Sequence, residues 1–405
     1  MLKKLILKNW KSFRHAELPI DSLTVLIGAN ASGKSNAIEA FYFLQQLIKT
    51  NSLSQATKNI RGYKQRLAYN NNSDFEITSI LQSQQENIDY WYRCSIQVKP
   101  ELLFGEESLL QREYRKHDYQ EKALISSDSS SLTLGFDDIH GFEIALDTSH
   151  NSKLSLLKSI KLKESQEASS LRTGILTTGE TIENIFILNP KPEKMRDYAP
   201  ITKDLLADAS NLAGVIAKLS EQQLSQFNQT ISSYVKHLPE RDIQRVWATP
   251  VGELETDAML YCEEEWKPGE KIKIDARSMS DGTLRFIAIL TALLTRPEGS
   301  QLIIEDIDDG LHPSRFDLLL KMLQEIGSQR QIDILVTTHN PAFLDRLSPD
   351  MTPFIIVAHR DPKTGESRLT PLEEIDNFPK LYASDSIGNL VTQGAIERSA
   401  ARTSD

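Results

Sequence analysis

Cysteine is scarce in this chain of 405 residues: Cys94 and Cys262 are its only two. Alone and far apart, they argue against a disulfide framework or a thiolate metal site and suit a reducing compartment. Long apolar runs are missing too. The longest, around Phe286 to Leu294, falls far short of the roughly 20 residues that cross a bilayer. The opening Met1-Leu-Lys-Lys-Leu-Ile-Leu-Lys-Asn-Trp-Lys mixes apolar and charged residues and lacks the unbroken apolar stretch of a signal peptide. A soluble, cytoplasmic protein without a membrane role is therefore expected. Internal repeats are absent, as is any heptad run long enough for a coiled-coil arm. Positive charge is in deficit, with a net charge of −10, so contact with DNA or RNA would need a local basic surface made by folding. With 40% hydrophobic and 25% charged residues, the chain has a globular composition. Its length suits one large domain with an insertion, or two modest domains.

Leu5 to Lys8 reads as a first strand and Leu23 to Ile27 as a second, followed by a glycine-bearing loop and a helix from about Gly33 to Lys49. Residues 74–80 and 90–98 are rich in β-branched and aromatic types and read as strands, preceded by the turn signal Asn70-Asn-Asn-Ser. From about residue 101 the character changes. Arg112 to Glu121 is densely charged and Ser126 to Ser131 is polar. Leu154 to Lys163, Thr202 to Leu219 and Gln222 to His237 carry apolar residues at helical spacing. Residues 101–240 are thus expected to form a largely helical insertion with an irregular start, a solvated lid or arm, between an N-terminal part (1–100) and a C-terminal part (241–405). In the C-terminal part, Ala258 to Glu264, Lys271 to Ala276, Gln301 to Glu305, Ile332 to Thr337 and Pro353 to His359 read as strands. Leu284 to Thr295 and Arg315 to Ile326 read as helices, and a short helical tail follows the last strand. Apolar strands alternating with helices predict an α/β fold with a parallel sheet covered on two sides.

Gly28-Ala29-Asn30-Ala31-Ser32-Gly33-Lys34-Ser35 fits the phosphate-loop pattern G-x-x-x-x-G-K-S in full, between a strand and a helix, with Asn36 next. The glycines let the loop curl so that successive backbone N–H groups face phosphate oxygens, and the helix start adds its positive dipole end. Lys34 would reach the β- and γ-phosphates and Ser35 would hold Mg²⁺, which makes ATP the expected ligand. Leu302-Ile-Ile-Glu305-Asp306 is an apolar strand ending in two carboxylates. Alternation along the strand would let one serve the metal and the other the attacking water. Val336-Thr-Thr-His339-Asn ends the next apolar strand. Such a histidine is usually structural, and the other two motifs are what give it a functional reading. Ser280, Asp281, Gly282 and Thr283 open the helix that continues at Leu284. They are ordinary capping residues, yet also a second helix start able to meet a phosphate.

The order of these elements resembles the ABC-type ATPases of the RecF, SMC and OLD group, over about 1–90 and 255–360. The resemblance implies a P-loop NTPase of ABC-ATPase type in which two heads sandwich two ATPs, each between one head's phosphate loop and the other's signature. Ser280-Asp-Gly282-Thr looks like that signature, Asp309-Gly-Leu-His312-Pro like the D-loop region, and His339 like the switch histidine that senses the γ-phosphate. Leu7-Lys-Asn-Trp-Lys-Ser-Phe13 is similar to the first strand and turn of RecF-like proteins. Relatives usually carry Asp-Glu or Glu-Glu where this chain has Glu305-Asp306. With Glu305 on the metal, the base is Asp306, one methylene shorter, and hydrolysis is expected to be slow. Gln65 is a guess for the Q-loop glutamine. Leu188-Asn-Pro-Lys-Pro-Glu-Lys-Met-Arg196 and Asp208-Ala-Ser-Asn211-Leu212 resemble stretches of bacterial RecF-like ATPases. Arg196 reads either as a phosphate or partner contact or as a surface salt bridge.

Three roles stay open: the switch or sensor subunit of an anti-phage defence complex with a separate, nuclease-like effector; a RecF-like DNA repair or replication clamp; and an ATP-gated scaffold not linked to DNA. The stretch after His339 is too short for the TOPRIM nuclease of OLD relatives, and no metal-ligand spacing outside the ATP site suggests a nuclease in this chain. A transporter ATPase fits the N-terminal strand and the insertion poorly. In the first two roles ATP closes a homodimer of heads and hydrolysis opens it.

Overall fold

A computed structural model of the chain describes residues 1–50, 52–62, 66–83, 85–116, 118–127, 131–134, 142–145, 157, 169–235, 243–267 and 269–403. Gln65 and nearly all of the Leu154–Lys163 segment lie outside the described residues. In chain order the strands are β1 (Leu2–Trp10), β2 (Phe13–Pro19), β3 (Leu23–Ile27), β4 (Asp74–Gln82), β5 (Ile88–Gln97), β6 (Leu103–Tyr114), β7 (Tyr119–Ser127), β8 (Ser131–Leu134) and β9 (Phe142–Ala145). There follow β10 (Ile185–Leu188), β11 (Ala199–Pro200), β12 (Ile243–Val251), β13 (Asp257–Lys267), β14 (Glu270–Asp275), β15 (Gln301–Ile304), β16 (Asp333–Thr337), β17 (Ile355–Arg360) and β18 (Ser367–Pro371). Chain contacts divide the protein into two compact units. The first is Met1–Ile185 with Pro353–Leu381 and Gly394–Asp405; the second is Phe186–Thr352 with Tyr382–Gln393.

In the first unit, β1, β2 and β4 to β9 form an antiparallel sheet in the order β2-β1-β4-β5-β6-β7-β8-β9. Separately, β3 runs parallel to β17, with Val25 opposite Ile355, and β17 pairs antiparallel with β18. Every residue of β3 is buried, as expected of a strand covered on both faces. The helix Lys34–Lys49 is fixed by an aromatic cluster. Trp10 and Phe75 stand edge to face at 4.9 Å, with Phe43 of the helix 5.6 Å from Trp10 and 5.4 Å from Phe75. All three are fully buried, and truncating such a side chain to alanine costs about 3–5 kcal/mol. This packing anchors the later half of the helix on the first strands.

In the second unit, β15 lies between β10 and β16 and runs parallel to β16, with Ile304 opposite Val336. A smaller antiparallel sheet joins β11, β12 and β14 to β13, and the helices Leu212–Lys218 and Glu221–Val235 pack against it. The helix Phe316–Gln329 connects β15 to β16.

The α/β reading with parallel strands holds. The helical expectation for 101–240 holds only in its second half, at Ser169–Glu183, Leu212–Lys218 and Glu221–Val235. Its first half, expected only to begin irregularly, continues the sheet: the two sides of the charged run from Arg112 to Glu121 lie on the paired strands β6 and β7. Its charges form cross-strand pairs, Arg112 with Glu121 at 2.6 Å, and the Arg112 guanidinium stacks on Trp91 at 3.6 Å. Opposite charges facing each other across strands stabilise a ladder much as i,i+4 pairs stabilise a helix. Thr202 to Asn211 is not helical either. The buried Asn211 side chain accepts from the Leu206 amide at 2.9 Å and donates to Thr202 Oγ1 at 2.7 Å and the Asp204 carbonyl at 2.8 Å. Those bonds hold the backbone in a loop that competes with a helix. Strands β2, β12 and β18 were not anticipated.

Among the described residues, no helix is long and apolar enough to cross a membrane. Both cysteines are buried free thiols, and burial pushes the Cys94 thiol far above its ordinary range.

Candidate nucleotide site

In the first unit the phosphate loop leaves β3 at Gly28, whose φ of 142° is open to glycine alone in practice. A β-carbon there would lie 2.1 Å from the Ala358 carbonyl oxygen of β17. Gly33, at φ 120°, is pinned in the same way: a β-carbon would come 2.7 Å from Ser367 Oγ. Ala29, Asn30 and Ala31 arch outward between these anchors and are exposed, while Ser32 is buried. Arg360 Nε holds the arch by donating to the Ala31 carbonyl at 2.8 Å. Lys34 Nζ spans the loop, donating to the carbonyls of Gly28 at 2.6 Å and Ala29 at 3.2 Å.

The helix has Gly33 as its N-cap, no side-chain cap bond and no acidic residue in its first turn. Without a side-chain cap or an acid there, the positive end of this helix suits an incoming anion. Ser32 Oγ is buried without a hydrogen-bond partner, a cost of about 1–3 kcal/mol that a bound phosphate oxygen would relieve. These features fit the phosphates of a nucleotide. Ser35 is half-buried in the first turn, and its hydroxyl would be the loop's donor to a Mg²⁺ bound with them.

Asn36 ties this helix to the first strands. Its Nδ2 donates to Ser12 Oγ at 2.7 Å, and its carbonyl accepts from Trp10 Nε1 at 2.7 Å. Beside it a cavity of about 460 Å³ is lined by Lys11, Ser12, Asn36, Arg61 and Arg66, among others. Glu39 pairs with both Lys11 and Arg61, the latter at 2.8 Å. Burial lowers the Lys11 ammonium from its ordinary range, and Glu39 opposes that shift. The basic cavity was missed in the sequence. Its signal lay in Lys11 and Ser12 of the opening motif and in the Arg61–Gly62 turn.

In the second unit, strand β15 ends at Ile304, and both carboxylates lie in the turn beyond it. The two acids are separated by a backbone reversal rather than by strand alternation. Asp306 sits at φ 46°, a left-handed conformation that Asp and Asn tolerate better than most residues. The Asp306 amide donates to Thr337 Oγ1 at 2.9 Å. Glu305 continues the ladder through its amide to the Leu188 carbonyl at 3.1 Å, and its Oε2 accepts from Asn189 Nδ2 at 3.1 Å. That leaves the Asp306 carboxylate 43% exposed, with His339 Nδ1 4.0 Å from its Oδ1. One step on, the buried Asp308 accepts from Thr338 Oγ1 at 2.6 Å. Thr337 and Thr338 are thus the residues that pin the acidic turn, a role that the sequence reading did not assign.

Ser280 caps the helix Asp281–Thr295: its Oγ accepts from the Thr283 amide at 3.1 Å and lies 2.9 Å from Thr283 Oγ1. Gly282 packs on the loop at Gly310, where a β-carbon would meet the Gly310 carbonyl oxygen at 2.6 Å. Arg285 from the same helix reaches Asp309 at 3.6 Å. Within this unit the structure therefore brings Gly282 against Gly310 and Asp306 beside His339, while the Glu305 side chain is held by Asn189. Arg196, open between two readings, pairs with Asp281 inside the chain.

The chain's residues 23–345 match the family model AAA_21, described as "AAA domain, putative AbiEii toxin, Type IV TA system". No curated protein matches the sequence closely enough to count as a relative. Among solved structures, the SMC head bound to the C-terminal winged-helix domain of ScpA is similar, at 14% identity and a TM-score of 0.53, over 91% of this chain and 96% of that one. The SMC head domain from Thermotoga maritima also matches, at 14% identity, 91% and 98% coverage and a TM-score of 0.43. So does the Pyrococcus furiosus Smc head with an extended coiled coil bound to the C-terminal domain of ScpA, at 13% identity, 95% and 98% coverage and a TM-score of 0.47. The first of these likenesses establishes the fold. The chain belongs to the AAA_21 family, with the P-loop ATPase fold of the ABC and SMC heads.

Proposed function

We propose that the protein binds and slowly hydrolyses ATP, pairs with a second copy around it, and acts as the switch subunit of an anti-phage defence complex. The observation that carries the nucleotide part is the phosphate loop, with its two pinned glycines, uncapped helix start and orphaned Ser32 hydroxyl. Gly28 to Asn36 bind the phosphates, with Lys34 as the cationic contact. Ser35 and Glu305 are the residues assigned to Mg²⁺, which supplies charge neutralisation on the phosphate oxygens. Asp306 orients and deprotonates the attacking water, and His339 reads the γ-phosphate. Ser280, Asp281, Gly282 and Thr283 face the phosphate held by the second copy.

The defence assignment is supported by the family, whose description names a toxin of a type IV toxin–antitoxin system. SMC heads of solved structure are bound to a domain of ScpA, and by analogy a separate effector polypeptide is the expected partner here. A RecF-like role on DNA is the second reading, favoured by the SMC-head fold. ATP-dependent retention on DNA at moderate salt supports a role on nucleic acid. Its absence leaves a switch that reads another trigger.

Mixing two inactive variants, Lys34→Ala and Ser280→Arg, tests the shared site. A mixed dimer holds one site with both lesions and one intact site, so turnover should return. No recovery, with subunit exchange verified, removes the two-copy arrangement as the working model unless the two sites are strictly coupled. Single-turnover kinetics on the mixture resolves that coupling.

A further inference from the structure

Arg196 follows a short helical turn, Pro192–Lys194, in the segment between β10 and β11. Its Nη1 donates to three main-chain carbonyls, Ala276 at 3.2 Å, Arg277 at 3.0 Å and Met279 at 2.7 Å. Its Nη2 forms an ion pair with Asp281. These four partners span the whole link from β14 to the helix Asp281–Thr295, on either side of the cap Ser280. The next two residues grip the same link. Asp197 pairs with Arg277 at 3.4 Å, and Tyr198 lies under the Arg277 guanidinium at 5.1 Å. Met195, on the other side of Arg196, is buried and anchors the turn.

Convergent carbonyls form a negative concavity that an arginine fills with charge-assisted bonds. The ion pair has a second effect. Asp281 is the first residue of its helix, where a carboxylate favours the helix dipole. The same carboxylate repels any phosphate approaching the amides of Gly282 and Thr283, because like charges at such range oppose each other. A guanidinium on Asp281 removes that repulsion while leaving the Asp281 side chain 61% exposed.

We propose that Arg196 is a positioning residue that shapes the Ser280–Thr283 turn and masks the charge of Asp281, so that the turn can accept a phosphate. The inference rests on the reading of that turn as phosphate-facing. It gives the segment 186–200 a direct hold on the turn: any shift of that segment moves the carbonyls and the carboxylate together.

The test uses the full chain and the variants Arg196→Ala, Asp281→Asn, their combination, and Ser280→Arg as reference. It reads ATP turnover, ATP-dependent self-association and nucleotide affinity at monomer concentrations. Arg196→Ala should lower turnover and self-association about tenfold or more while monomer affinity stays within about twofold, the pattern of an interaction made only at the shared site. Adding Asp281→Asn to Arg196→Ala should restore a large part of the lost self-association, because the unmasked charge is gone. A purely structural role for Arg196 predicts no such rescue. Turnover unchanged in Arg196→Ala while Ser280→Arg abolishes it overturns the inference and leaves the signature reading standing. Turnover unchanged in Ser280→Arg overturns that reading itself. If Arg196→Ala does not fold, Arg196→Gln, which keeps a donor for the carbonyls but no charge, carries the same comparison.

Discussion

Gly282 meets Gly310 so closely that a β-carbon on the former would sit 2.6 Å from the carbonyl oxygen of the latter. Gly282 is thus required by the loop around Gly310 of its own chain, whatever else approaches it. Gly282→Ala forces the helix and that loop apart. It is expected to destabilise the fold by about 1–3 kcal/mol, the usual cost of overpacking a tight contact. Urea unfolding measures this, and an unchanged midpoint would show that the loop gives way freely.

Asp306 is the residue on which hydrolysis is expected to depend. Asp306→Asn should lower turnover about 10²-fold or more, the usual worth of a general base, and leave nucleotide binding intact. Asp306→Glu restores the missing methylene and should raise turnover above that of the natural chain. Single-turnover assays with labelled ATP decide this; equal rates for Asn and Asp would remove Asp306 from the chemistry.

Thr338 and Asp308 are both buried, with their hydrogen bond at 2.6 Å. Thr338→Val keeps the shape and leaves the Asp308 carboxylate short of a donor, which costs about 1–3 kcal/mol or more for a charged group. The melting temperature should fall accordingly, and Asp308→Asn in the same background should recover part of the loss. Calorimetry of the natural chain and the two variants would settle it.

His359 is buried in β17, with Nε2 2.9 Å from Thr370 Oγ1. Burial first, and then the charge of Arg368, hold its imidazole below the ordinary value of 6.5. The folded state therefore binds this proton less readily than the unfolded chain. Its contribution to stability is complete above the unfolded value and is lost as pH falls through the folded one. Melting temperature should drop as pH falls below 6.5, and His359→Gln should flatten that slope. An identical slope in the variant would assign the acid sensitivity to other groups.

The parallel strands and the phosphate loop were legible in the sequence because each is a local pattern. An apolar run such as Leu23–Ile27 ends at a glycine, and the glycine spacing that follows admits few other uses. The β6–β7 hairpin was not legible. Arg112 and Glu121 are neighbours only across a turn, and in one dimension a cross-strand pair looks the same as charges on a solvated helix. The acidic turn was half legible: Glu305 and Asp306 stand out in the sequence, but the reversal at Asp306 depends on Thr337, thirty-one residues away. Arg196 was visible only as a charge, since its partners are mostly backbone carbonyls and carry no residue signature.

Strands β15 and β16 run in the same direction with Ile304 level with Val336, so whatever follows one strand lies beside whatever follows the other. The acid and the histidine are therefore neighbours by alignment, not by the length of the chain between them. The connecting helix Phe316–Gln329 could gain or lose a turn without parting them. A single residue inserted within either strand would shift the pair out of step.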